Sequence, residues 1–225
     1  MHMQSWTELS RAETATGDQL VLRERAGCVE LRCNGWDLMS SRAHHSEEVL
    51  AALACTRISA ARPYVLIGGL GFGYTLRATL DRLPAASAVM VAELLPEVIA
   101  WNQDVLGPLA GRPLADPRVT VVRGDVAQLL HASAPARFDA ILLDTDNGPD
   151  AVMLAGNTIL YATPGLRRIR RALRPGGVLA VWSAGRSSGF AARLGAGGFR
   201  HEAHDISARG GPNDPLHTIY LAWIP

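Results

Sequence analysis

The sequence has few cysteines, almost no net charge and no long apolar run, and each of these absences excludes a class of protein. Its three cysteines are odd in number and have no metal-ligand spacing, so they indicate neither a disulfide framework nor a zinc site. A formal net charge of +1 gives no global electrostatic reason to expect a nucleic-acid partner. Because no signal-like start and no membrane-length apolar segment is found, the sequence predicts a cytoplasmic protein without a membrane partner.

One local departure from this balanced charge is the arginine-rich run LRRIRRALR, residues 166–174, which has helical periodicity. A solvent-exposed helix face is the preferred interpretation, because runs of charge usually lie in water. The alternative is a surface for RNA or an acidic partner.

The order of apolar segments predicts an α/β protein with two unequal parts. Residues 17–39 alternate apolar and polar side chains around two turn signals, which predicts one or two β-hairpins in a small N-terminal segment, residues 1–42. Residues 43–225 begin with a helix and then alternate strands with helices, as a doubly wound Rossmann-like sheet does. Seven strands are predicted, the last two as an antiparallel hairpin, near residues 63–67, 88–93, 118–123, 138–143, 177–182, 199–206 and 216–223.

A glycine-rich turn follows the first of these seven strands. The run YVLIGGLGFGY places Gly68, Gly69, Gly71 and Gly73 directly after an apolar strand and before the helical segment TLRATLDRL. Glycines let the backbone adopt positive φ and approach a ligand closely, and the helix N-terminus faces the same point. The pattern therefore predicts one half of a nucleotide site.

Acidic residues end the next three predicted strands, at the sheet edge where open α/β folds bind ligands. Glu93 lies about 20 residues beyond the glycines, the spacing of a carboxylate that accepts hydrogen bonds from ribose hydroxyls; the alternative is a surface glutamate. Asp125 is expected to accept from an adenine amino group while Val126 packs on the ring, or simply to cap the following helix. Asp144 ends the run FDAILLD, ahead of the loop TDNGPD.

The glycine turn, the acidic strand ends and FDAILLD together resemble the S-adenosylmethionine-dependent methyltransferase superfamily, in particular its spermidine synthase-like (polyamine aminopropyltransferase) branch. Features typical of that branch are the paired glycines at the turn, a polar loop ending in Gly148-Pro149, and a small strand-rich segment ahead of the main domain. The resemblance implies S-adenosylmethionine or its decarboxylated form as donor, a small-molecule amine as acceptor, and a homodimer.

Two departures from the branch bear on the chemistry. The branch carries an Asp at the position of Gly71, where it binds the amine of the decarboxylated donor; without it, the resemblance favours intact S-adenosylmethionine and methyl transfer. The branch's catalytic pattern Asp-x-x-Asp-Pro is matched by Asp144, but Asn147 stands at its second acidic position and Asp146 lies one residue early. Asp144, with Asp146, is the predicted catalytic carboxylate that receives or orients the amine proton.

The segment LMSSRAHHSEEVL supplies the candidate acceptor-binding residues His44, His45 and Glu47, because it occupies the position of the branch's helix before the glycine motif. The alternatives are an exposed helix entry and a metal corner, and the spacing does not provide the convergent ligands that a metal needs.

Three alternatives to methyl transfer stay open at this point. They are an aminopropyltransferase, an intramolecular reaction of the donor that releases 5′-methylthioadenosine, and a non-catalytic nucleotide-binding protein.

Overall fold

The computed structural model describes residues 5–145, 148–149 and 158–225. Within them the protein is an α/β structure with two sheets, of four and seven strands. No helix among the described residues is long and apolar enough to cross a membrane.

The smaller sheet is antiparallel, with its four strands in chain order. Two of its turns place Ala26 and Asn34 at a φ of 50°, each before a glycine, as tight hairpin turns require. The alternation of residues 17–39 predicts only the last three strands. The first was missed because its residues are mostly exposed, which leaves no apolar alternation to detect. The strands are β1 Thr7–Glu13, β2 Gln19–Arg25, β3 Cys28–Cys33 and β4 Trp36–Ser40.

The predicted seven-stranded sheet is confirmed. Its strands are β5 Tyr64–Gly68, β6 Ala88–Glu93, β7 Val119–Arg123, β8 Phe138–Leu143, β9 Leu173–Ser183, β10 Arg200–Ser207 and β11 Leu216–Trp223. They lie in the order β10-β11-β9-β8-β5-β6-β7. The five strands from β5 to β9 pair in parallel, whereas β11 pairs antiparallel with both β9 and β10, so the predicted terminal hairpin is also confirmed.

Helices cover both faces of this sheet. They are α1 His45–Cys55, α2 Tyr74–Arg82, α3 Pro96–Gln103, α4 Val126–Ala132, α5 Thr158–Tyr161, α6 Thr163–Ala172 and α7 Ser188–Ala196. Short 3-10 turns lie at Gly107–Ala110 and Pro113–Ala115. Successive strand residues point to opposite faces, so Ile67 packs in one core cluster and its neighbour Leu66 in the other.

The arginine-rich run is divided between two elements. In α6 the apolar residues Leu166 and Ile169 are buried, and most of the arginines lie on the opposite, exposed side. This placement matches a solvent-exposed helix face. Arg174, predicted on the same helix, instead lies in β9 and forms an ion pair of 2.6 Å with Asp139.

The small sheet packs on the main domain, and this contact brings its last strand to the glycine turn. Leu20, Leu22 and Leu31 are buried in the same cluster as α1 and α2. Trp101 of α3 is also buried there, and its indole N–H donates to the hydroxyl of Ser10 in β1 at 2.8 Å. The sheet is therefore fixed against the face of the domain where β5 ends.

Candidate functional site

The glycine turn after β5 is a tightly packed backbone structure. Gly69, Gly71 and Gly73 have φ values of +90°, +51° and +87°, which side-chain-bearing residues rarely adopt. The side-chain amide of Asn102 in α3 donates to the carbonyl of Gly71 at 2.8 Å and holds the turn in place. A Cβ at Gly69 would overlap the backbone carbonyl of Asp144, so this glycine allows the ends of β5 and β8 to meet.

Replacing Gly69 with alanine is therefore expected to lower the melting temperature by roughly 5 to 10 °C and to weaken nucleotide binding, because strain and overlap cost about 2–3 kcal/mol. Gly17→Ala is the matched control, since Gly17 has a φ of +85° but no atom within 4 Å of its added Cβ. Differential scanning calorimetry of both variants separates overlap from backbone strain. Equal losses in the two variants would contradict the close approach of Asp144.

Glu93 is held at this turn by backbone amides. It ends β6 and is only 8 % exposed, which excludes a surface glutamate. One carboxylate oxygen accepts from the N–H of Leu70 at 2.8 Å and the other from the N–H of Leu95 at 2.9 Å. Burial raises the pKa of Glu93, and these backbone hydrogen bonds oppose that rise. Backbone N–H groups of Leu94 and Gly71 also act on this carboxylate, so the amides around the turn orient both of its oxygens.

Asp125 and Val126 lie at the end of β7, beside the same turn. One oxygen of Asp125 accepts from the N–H of Ala127 at 2.7 Å, so the residue does cap α4. Val126 is buried, and a Cβ built on Gly68 would come within 2.9 Å of it. The structure thus brings the predicted adenine-side residues to the glycine turn, and the capping role leaves the second carboxylate oxygen of Asp125 available.

Asp144 follows β8 and lies between the turn and α2. Its backbone N–H donates to the carbonyl of Gly68 at 2.8 Å, and its carboxylate accepts from the hydroxyl of Thr75 at 2.6 Å. Thr75 is buried in the first turn of α2. Burial raises the pKa of Asp144 from 3.8 to about 6, and the Thr75 hydrogen bond opposes the rise. A carboxylate with this pKa is suited to exchange a proton near neutral pH.

Glu47 of α1 lies within electrostatic reach of Asp144. Burial is the main cause that raises the pKa of Glu47 well above 4.5, followed by the neighbouring charges of Asp144 and Glu48. Like charges on neighbouring carboxyl groups resist simultaneous ionisation, so the charge of Asp144 helps Glu47 to retain its proton. We call these two residues the carboxyl pair.

An aromatic pair lies next to the carboxyl pair. The ring of Tyr74, directly after the glycine turn, stacks on the imidazole of His44 with centroids 4.1 Å apart. The hydroxyl of Tyr74 and Nδ1 of His44 both donate to the carbonyl of Ser41. Burial and the charges of Glu47 and Glu48 raise the pKa of Tyr74 to about 12. Of the predicted acceptor residues, His44 and Glu47 are thus brought to one place.

The other predicted acceptor and catalytic residues are placed differently. His45 lies against the loop between β10 and β11, where a Cβ on Gly210 would be 3.6 Å from its imidazole. Asp146 and Asn147 lie outside the described residues. Within the described ranges, no three His, Cys, Asp or Glu side chains converge as metal ligands would.

A buried hydrogen-bonded group behind α1 was missed by sequence reasoning. The hydroxyl of Ser46 accepts from the indole N–H of Trp182 at 3.0 Å and lies 2.8 Å from Nδ1 of His217. Burial lowers the pKa of His217, which favours the neutral imidazole that accepts from Ser46. Because Ser46 precedes Glu47, these contacts fix the first turn of α1 against β9 and β11. No sequence signal links residues so far apart in the chain.

Thr75 and Tyr74 were also missed, although a signal was present. Both lie in the first helical turn after the glycines, where side chains sit beside whatever the turn binds.

Comparisons with known proteins agree with this geometry. No protein-family model matches the chain. Over 132 residues it is 32% identical to putrescine N-methyltransferase 3 of Nicotiana tabacum, and the aligned region covers 59% of this chain and 32% of that protein. Over 133 residues it is 32% identical to spermine synthase of Arabidopsis thaliana, and the aligned region covers 59% of this chain and 35% of that protein. The match thus spans about a third of the length of these curated relatives.

Solved structures show the fold. Spermidine synthase from Thermotoga maritima superposes with a TM-score of 0.77 at 16% identity, covering 97% of this chain and 72% of that one. A spermidine synthase bound to the transition-state analogue AdoDATO gives a TM-score of 0.76 at 17% identity, with the same coverage. The fold is that of spermidine synthases, and the resemblance to the spermidine synthase-like branch is confirmed.

Proposed function

We propose that the protein transfers a methyl group from S-adenosylmethionine to a small-molecule amine. The observation that carries this proposal is the carboxyl pair, Asp144 and Glu47, held directly beside a glycine turn of the donor-binding type. The similarity to enzymes named as putrescine N-methyltransferases and to spermine synthase supports an amine acceptor.

The residues at the carboxyl edge of the sheet fit the donor. Glu93, oriented by backbone amides, would accept hydrogen bonds from the ribose hydroxyls, and the free oxygen of Asp125 would accept from the adenine amino group. The glycines leave the backbone of the turn open to close approach. When bound, S-adenosylmethionine supplies an activated methyl carbon whose leaving group is a neutral thioether.

The carboxyl pair would prepare the acceptor. An amine reaches the site mostly as an ammonium ion, and it must lose a proton before its nitrogen can act as a nucleophile. Asp144, fixed by Thr75, would accept that proton, while the charge on the pair attracts the cation. Tyr74 and His44 would form an adjoining wall that helps to align the amine and exclude water.

Aminopropyl transfer from decarboxylated S-adenosylmethionine is the second candidate. It is favoured by the spermidine synthase fold and by the similarity to spermine synthase. Gly71 argues for the methyl donor, because no carboxylate is available at that position to pair with the amine of the decarboxylated form.

Mass spectrometry of reactions with each donor and a panel of mono-, di- and polyamines tests the proposal. The expected products are a methylated amine and S-adenosylhomocysteine from the intact donor. An aminopropylated amine together with 5′-methylthioadenosine would refute methyl transfer and support the second candidate, aminopropyl transfer. Release of 5′-methylthioadenosine without an acceptor product would indicate an intramolecular reaction, and donor binding without turnover a non-catalytic protein.

The proposal includes two expectations about the protein in the cell. We expect a cytoplasmic location and a homodimer, the latter because the resemblance to the branch implies it. Light scattering during size-exclusion chromatography measures the mass, with twice the chain mass of 24.1 kDa expected.

A further inference from the structure

A surface cavity lies between the small sheet and the loop that joins β10 to β11. Its volume is about 160 Å³, and its walls include Trp6, Arg25, Glu30, Ser40, Arg42 and Arg209. None of these residues belongs to the glycine turn, to the carboxyl edge of the main sheet or to the carboxyl pair. The volume equals about five water molecules and is smaller than a drug-sized pocket, so it suits only a small ligand.

The charge of the cavity wall is strongly positive. Within the described part of the chain, Arg25, Arg42 and Arg209 have no ion-pair partner. The acidic residue of the wall, Glu30, is already neutralised by Arg23, whose guanidinium lies 2.7 Å from it. Three solvent-exposed arginines without an ion-pair partner among the described residues, Arg25, Arg42 and Arg209, therefore line one small cavity.

Two of the walls hold their polar groups in defined positions. The guanidinium of Arg25 lies over the ring of Trp6, 4.4 Å from its centroid, and Arg23 lies over the same ring at 4.0 Å. Such stacking limits the motion of Arg25 before any ligand arrives. The hydroxyl of Ser40, which already contacts the thiol of Cys28 and the N–H of Arg42, adds a neutral hydrogen-bonding group.

The chemistry of the wall selects the ligand class. The chain contains no lysine, so all of these cations are planar guanidinium groups, which bind phosphate and carboxylate oxygens through paired hydrogen bonds. Three such groups around about 160 Å³ match an anion with at least two negative charges and few heavy atoms. We propose that this cavity binds a small multivalent anion of the phosphate or carboxylate class.

Isothermal titration calorimetry at constant ionic strength, with inorganic pyrophosphate and with citrate, tests this site. Saturable binding with one ligand per chain is expected for at least one of the two. Binding of pyrophosphate alone assigns the site to phosphates, binding of citrate alone assigns it to carboxylates, and binding of both supports either source. No saturable binding of either probe would overturn the proposal.

Variants locate the binding. The double substitution R25Q/R209Q removes two of the three guanidinium groups and is expected to lower the affinity for the anion at least about tenfold. Arg62→Gln is the matched control, because Arg62 is exposed and lies outside the cavity. Unchanged affinity in R25Q/R209Q, or equal weakening in R62Q, would refute the assignment. Since the assay measures binding without a donor or an amine, its result is independent of the proposed transferase activity.

Discussion

Asp144→Asn is expected to reduce kcat/KM for methyl transfer to the amine by about 10²- to 10⁴-fold, the usual contribution of a positioned acid or base. The substitution keeps the shape of the side chain, and the asparagine oxygen still accepts from the hydroxyl of Thr75, which now donates at 2.6 Å. What it removes is the group that takes the amine proton. Initial rates with a methylated-product assay measure the loss.

The same variant is expected to be more stable than the parent protein above pH 6. Burial raises the pKa of Asp144 from 3.8 to about 6, so the fold favours the protonated carboxyl. This contribution to stability is fully present below about pH 4 and is lost as pH rises through 6, because the carboxylate must then ionise inside the fold. Asparagine never ionises, so at pH 8 the variant should have a free energy of unfolding up to about 3 kcal/mol higher than that of the parent protein.

Thermal unfolding at pH 4 and pH 8 measures this difference, with a melting temperature several degrees higher at pH 8 and little change at pH 4. Asp104→Asn is the control, because Asp104 is exposed and its carboxylate makes no ion pair among the described residues. A loss of stability at both pH values, or retained activity, would contradict the assigned role of Asp144.

The acid side of the pH profile provides a further check on the carboxyl pair. Activity of the parent protein should fall as pH drops through about 6, because Asp144 then takes up the proton that it must accept from the amine. The residual activity of the Asp144→Asn variant should not show this fall at acid pH, the acid limb of the profile. A profile with the same acid limb in both proteins would assign it to another group.

The main sheet follows closely from the sequence. The strands predicted at 88–93 and 138–143 are found at Ala88–Glu93 and Phe138–Leu143, because each is a short apolar run with a clear polar end. Strand β9 begins at Leu173, four residues before its predicted start, because the Arg174–Gly177 segment that reads as a turn continues the strand. The first strand of the small sheet was not predicted, since exposed strands carry no apolar pattern.

The candidate site also has one part that the sequence predicts and one part that it does not. The donor side was predictable because parallel strands end at one edge, which brings Glu93, Asp125 and Asp144 to the glycine turn whatever lies between them. The acceptor side depends on where α1 packs. The approach of Glu47 to Asp144 and the bond between Ser46 and His217 arise from tertiary packing between distant segments, for which a single sequence has no local signal.

Donor preference is expected to reverse in Gly71→Asp. The new carboxylate should weaken intact S-adenosylmethionine on the order of 10- to 100-fold by repelling the donor's own carboxylate, and it should strengthen the decarboxylated donor, whose amine it can pair with. The position can accept the change. Gly71 has a φ of +51°, in the left-handed region that Asp and Asn tolerate best, and an added Cβ would meet only Met39, at 3.7 Å.

Gly71→Asn separates charge from shape, because asparagine has the same size and backbone preference without the negative charge. Titration calorimetry of both variants with both donors should show a large change in relative affinity for Asp and little for Asn. Equal weakening of the intact donor by both side chains would mean that bulk against Met39, rather than charge, determines its binding. Unchanged affinity in Gly71→Asp would place the donor's carboxylate away from this turn and remove the main argument for methyl over aminopropyl transfer.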